Sequence, residues 1–83
     1  MRYFFDARDD DAFSRDESGV ECPSFQAVKS EVIAGLVEVA VELLPGSEGR
    51  KLTIEVRDEA GRHVFTTMLI LKVEIPPASR MGR

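Results

Sequence analysis

Leu52-Thr53-Ile54-Glu55-Val56-Arg57-Asp58-Glu59-Ala60-Gly61-Arg62-His63-Val64-Phe65 reads as two strands joined by a tight turn. Leu52, Ile54 and Val56 alternate with Thr53, Glu55 and Arg57, which is the two-residue period of a strand with one buried face. A type I turn closed by a bulge needs a residue tolerant of positive φ, and Gly61 stands where that residue belongs, after Glu59 and Ala60. The second strand continues to Val73. One β-hairpin is thereby defined, and the remainder of the chain has to supply what covers its apolar side.

That cover lies just upstream. Pro23-Ser24 has the character of a helix start, with the Ser24 hydroxyl able to accept a hydrogen bond from a free N–H of the first turn. From Phe25 to Leu44 the helical period places Phe25, Val28, Val32, Leu36, Val39 and Leu43 on one face, with Ile33 and Ala40 at its margin. Leu36 to Leu43 also alternates like a strand, and its β-branched residues are weak helix formers. Length decides for the helix, because a run this long without a turn signal exceeds an ordinary strand and Pro45-Gly46 ends it.

Further upstream, Arg2 to Arg8 is aromatic-rich and stops at Asp9-Asp10-Asp11, giving a first strand. Ala12 to Arg15 is the return strand, and Asp16-Glu17-Ser18-Gly19 turns the chain again. The expected fold class is α+β, with order ββαββ: a mostly antiparallel sheet covered on one face by a single helix. Residues 1–75 form one domain in this reading. The segment 76–83 lacks the apolar content to pack and is expected to be mobile.

Composition narrows the functional classes. A chain of 83 residues makes a small core, built here from Val, Leu, Ile and five Phe in the absence of Trp. Cys22 is the only cysteine, so no internal disulfide or Cys-based zinc site can form, and a reducing, cytoplasmic setting is expected. The longest apolar-rich stretch, Val32 to Leu44, is interrupted by Glu38 and Glu42, which argues against membrane insertion. A net charge of −4 argues against nucleic-acid binding driven by bulk electrostatics.

Each residue with reactive potential has an ordinary reading beside it. Asp9, Asp10, Asp11, Asp16 and Glu17 offer hard oxygen ligands, but their spacing does not follow the Ca²⁺-loop pattern, and a solvated turn accounts for them. His63 follows the hairpin turn without a nucleophile or an orienting partner nearby in sequence. Cys22 lies near a helix start, where the dipole favours a thiolate, while a small buried cysteine is the structural reading. Arg50, Lys51, Arg62, Arg80 and Arg83 would form a basic patch only if the tail folded back, and no stacking aromatics accompany them. No catalytic residue, metal ligand or cofactor site is expected.

Two resemblances bear on identity. Tyr3-Phe4-Phe5-Asp6-x-Arg8-Asp9, then Asp16-x-x-Gly19-Val20-Glu21-x-Pro23, then Ile54-Glu55-Val56-Arg57-Asp58-Glu59-x-Gly61-Arg62 together resemble a family of short, uncharacterised bacterial proteins, a domain of unknown function. The likeness covers residues 2 to about 75 and implies a small fold with no known activity. Asp11 departs from that pattern, which often has Gly at the end of the first acidic turn. The order of strands and helix is also similar to that of HicB-like antitoxin domains, although Pro23-Ser24-Phe25 stands where those domains carry Pro-Asp-Leu-Pro-Gly.

Assembly is the remaining expectation. Ala34, Val37 and Val41 fall a third to a half turn away from the helix's core face. On the last strand Val64, Met68 and Ile70 point to one side while Phe65, Leu69, Leu71 and Val73 point to the other, so both faces require burial. A bulge near Thr66-Thr67 would bring most of them inward; otherwise a twofold dimer covers the excess. The expected function is a non-enzymatic protein-interaction module, a homodimer with Ala34, Val37, Val41, Met68 and Ile70 as interface candidates. The alternative is a HicB-like antitoxin or regulator that masks an unidentified protein partner.

Overall fold

The computed structural model describes residues 1–10 and 12–77. Its elements are β1 (Arg2–Asp9), β2 (Ala12–Ser14), β3 (Val20–Glu21), α1 (Phe25–Leu43), β4 (Gly49–Arg57) and β5 (His63–Lys72). The strands form one antiparallel sheet in the order β2-β1-β4-β5, with β3 also paired to β1. The expected ββαββ order holds, and the two-residue β3 is an addition to it. β2 and β3 share one edge of β1, β2 along Ala7 to Asp9 and β3 along Arg2 and Tyr3.

The hairpin turn follows the sequence reading closely. Gly61 has φ +83°, its N–H donates to the Asp58 carbonyl at 3.0 Å, and the Asp58 carboxylate accepts the Ala60 and Arg62 amides at 2.9 and 3.0 Å. The bulge sits elsewhere than Thr66-Thr67. Gly49 to Val56 pair in unbroken register with Lys72 to Phe65, and the register shifts only between Val56 and Arg57, where Arg57 faces His63. The residue left over is Val64, which turns toward the helix and packs on the core beside Phe65.

Helix α1 begins at Ser24, whose hydroxyl accepts the Ala27 amide at 3.2 Å. Its buried stripe is Val28, Val32, Leu36 and Ala40, at four-residue spacing, against Leu52 and Val56 of β4. Phe25 meets Phe65 edge to face at 5.4 Å, at the border of the core. Ala40, placed at the margin from the period alone, is buried, while Val39, placed on the core face, is exposed. The flank of the helix that carries Val39 is left uncovered by the sheet.

β1 and β4 both run further than their apolar residues suggest. Asp9 extends β1 because Arg50, at the start of β4, takes its carboxylate through two hydrogen bonds of 2.8 and 2.9 Å. Asp10 then turns the chain with φ 54°, a left-handed conformation that Asp tolerates better than most residues. Asp11 and most of the 76–83 segment lie outside the described residues.

Candidate functional site

The densest polar arrangement joins the three stretches on which the family resemblance rests. Between β2 and β3 the outer edge of β1 has no strand partner, and the loop carrying Asp16 fills the gap. The Phe5 amide donates to Asp16 Oδ2 at 3.0 Å, and the Asp16 amide donates to Asp6 Oδ1 at 2.9 Å. Asp16 Oδ1 accepts the Ser18 and Gly19 amides, each at 3.1 Å. Arg57 closes the clasp: its Nε donates to Asp6 Oδ2 at 2.8 Å, and its Nη2 donates to the Asp16 carbonyl at 2.6 Å.

Gly19 has a structural duty in the same clasp. Its φ is +75°, and a Cβ there would stand 2.9 Å from the Tyr3 carbonyl oxygen and 2.9 Å from the Phe4 ring. The Phe4 ring in turn carries the Arg57 guanidinium at 4.6 Å from its centroid.

The electrostatics of this cluster are those of a brace. Burial works against the Asp6 carboxylate, but the Arg57 hydrogen bond, the Asp16 amide and the Arg57 charge outweigh it and hold the group below the usual carboxylate range. Asp16 is also held low, because amides from Phe5, Gly19 and Ser18 together outweigh its burial. Both groups are ionised at neutral pH with their oxygens engaged, so neither is poised to exchange a proton there.

The other sequence candidates are dispersed. Cys22 is 4% exposed and belongs to the core cluster with Val28, Val32 and Val56. Its burial places it out of reach of a soluble reactant. His63 is exposed and its Nε2 lies 2.7 Å from the exposed Thr66 hydroxyl, and among the described residues no third side chain bonds to the imidazole to orient it. Asp9 is occupied by Arg50, and among the described residues no group of three or more His, Cys, Asp or Glu side chains could hold a metal ion. Arg50 and Lys51 begin β4 whereas Arg62 follows its end, where it pairs with Asp58 at 3.2 Å; these cations make no common patch. Arg80 and Arg83 lie outside the described residues.

The open face of the sheet, opposite the helix, forms a shallow groove in which Arg8 and Lys51 alternate with Asp10 and Glu55. Charges of both signs side by side select no single class of ion. Among the described residues, no helix is long and apolar enough to cross a membrane.

All five interface candidates are exposed, in two separate places. Ala34, Val37 and Val41 lie on α1 away from its buried stripe, with Val37 54% and Val41 70% exposed. Met68 and Ile70, 53% and 65% exposed, lie on β5 on the open face of the sheet. The position of β5 at the end of the sheet was not readable from the sequence, because strand order follows from which strands pair and not from which residues alternate. The Asp6–Arg57–Asp16 clasp was likewise missed, though a lone acid within the aromatic run of β1 was a signal for it.

No curated protein and no solved structure shows significant similarity to the chain. A family model matches residues 2–70, and by that match the chain belongs to the domain of unknown function DUF6894.

Proposed function

We propose that this protein is a non-enzymatic, cytoplasmic bacterial module that acts through protein contacts and works as a homodimer. The supporting observation is the imbalance between buried and uncovered apolar side chains. Among the described residues seven hydrophobic residues form the buried core, whereas twelve large hydrophobic side chains remain exposed. Isolated exposed apolar residues are ordinary, but Ile33, Val37 and Val41 recur at four-residue spacing on one helix, and Met68 and Ile70 are neighbours on one face of one strand. A partner that removes such surface from water gains roughly 25 cal/mol per Å².

The brace around Asp6 supports the non-enzymatic half of the reading, because the chain's most organised polar residues are spent on holding β1, β4 and the 15–19 loop together. An antitoxin-like module would use the same uncovered residues against a different protein. Self-association has the better support, since a twofold contact needs only a patch that matches itself. Sedimentation equilibrium at micromolar concentrations should give a dimer; a single monomeric species throughout that range would overturn the proposal.

A further inference from the structure

Resting on the homodimer reading, we infer that two copies join through the free edge of β5, antiparallel about a twofold axis near Met68, so that their sheets become one continuous sheet. The backbone carries the first step. Val73 N–H donates to the Glu48 carbonyl at 3.2 Å, in register with the Gly49–Lys72 pair. Because backbone groups of successive strand residues point to opposite edges, Thr67, Leu69 and Leu71 bond to β4 like Val73. Thr66, Met68, Ile70 and Lys72 therefore direct their N–H and C=O groups to the outer edge, where the sheet has no further strand among the described residues.

The usual protection of an edge is confined to its two ends, the bulge beside His63 and Lys72. β5 is ten residues long, and from Val64 to Leu71 it contains no charge and no proline. The register shift lies at its His63 end and leaves the middle regular. A long, regular, apolar edge of this kind is a template for another strand. The opposite edge of the sheet is formed by the three-residue β2 and the two-residue β3 and offers no comparable length.

Side chains make the second step, independently of the backbone. The residues with free amides, Thr66, Met68 and Ile70, also direct their side chains to the open face. With Met68 opposite Met68 of the partner subunit, Thr66 faces Ile70 of the partner subunit and the reverse pair follows by symmetry. The exposed Met and Ile side chains of both copies then form one apolar cluster astride the axis. Charge agrees with this register. Within the strand Lys72 falls opposite Val64 of the partner subunit, and no like charges face each other.

The helix stripe is the competing surface, and charge disfavours it. Glu38 and Glu42 rim the exposed Val39 and Val41, so a twofold pairing there gathers acids against acids. Size also bears on strength. An edge of this length, roughly 34 Å by 10 Å, removes roughly 700 Å² counting both copies, below the about 1,200 Å² of standard stable complexes. The Met68 and Ile70 cluster adds to that area, and an interface of this size belongs with weak, reversible association.

Proline at the axis tests the geometry, because the Met68 N–H points outward and Met68→Pro removes no bond to β4. By sedimentation, Met68→Pro should weaken dimerisation at least tenfold with the far-ultraviolet circular dichroism preserved. The double variant Met68→Lys/Ile70→Lys, which keeps every amide, should do the same and decides the matter if the proline variant unfolds. Val37→Glu/Val41→Glu should remain dimeric. A parent dimer that survives both β5 changes, or one dissolved by the helix pair alone, overturns the edge assignment while leaving the homodimer intact. A monomeric parent overturns both.

Discussion

Asp6 sits between Phe5 and Ala7 in a strand, 7% exposed, and it is tolerated there because Arg57 and the Asp16 amide meet both of its oxygens. Removing one member of a buried pair leaves the other uncompensated, so Asp6→Ala should cost about 3 kcal/mol in urea unfolding. Acid should act on the same group. Asp6 and Asp16 have folded pKa values depressed below the ordinary 3.8, so their stabilisation is complete above that value and is lost as pH falls through the lower, folded values. Stability should be level from about pH 7 to about pH 5 and fall below about pH 4, and an Asp6→Asn/Asp16→Asn variant should lose part of that fall. Gly19→Ala meets both a left-handed backbone and the Tyr3 carbonyl, and should cost at least about 1–2 kcal/mol by the same measurement. The identities of these residues were visible as motif positions in the sequence. Their partnership was not, since it depends on β1 and β4 being neighbours and on a loop returning to an unpaired edge.

At the scale of elements, α1 and the β4–β5 hairpin were legible because each is specified locally: a period, a cap and a turn glycine. Leu36→Asp places an unpaired charge among Ala40, Leu52 and Leu69, and should cost on the order of 4 kcal/mol, comparable with the whole stability of a small domain. Circular dichroism showing that variant as stable as the parent would mean that α1 faces the sheet differently. The exchange of Val39 for Ala40 in the core was less legible, because the period gives a direction on the helix and not the extent of the sheet beneath it. The two-residue β3 was invisible for a related reason: too short to show a period, it exists because β1 offers an edge. The acidic run after β1 gives up Asp9 to Arg50, and Ca²⁺ or Mg²⁺ should leave the melting temperature unchanged. A rise that disappeared in Asp9→Asn/Asp11→Asn would contradict this.

For the whole molecule, the Cα radius of gyration is 16.2 Å, against roughly 12 Å for a compact domain of this length. One helix on a long, open sheet leaves apolar residues uncovered on both layers, and in the proposed dimer a second copy along β5 would cover those next to the edge. The sequence already indicated surplus apolar residues on the last strand. It gave no sign that this strand ends the sheet, which is the observation on which the proposed interface rests. Amide hydrogen exchange along β5, read residue by residue at several protein concentrations, tests that proposal directly. Thr67, Leu69 and Leu71 should be protected at every concentration, whereas Thr66, Met68 and Ile70 should gain protection only as the dimer forms. Unprotected exchange at Thr66, Met68 and Ile70 at concentrations where sedimentation reports a dimer would contradict the account.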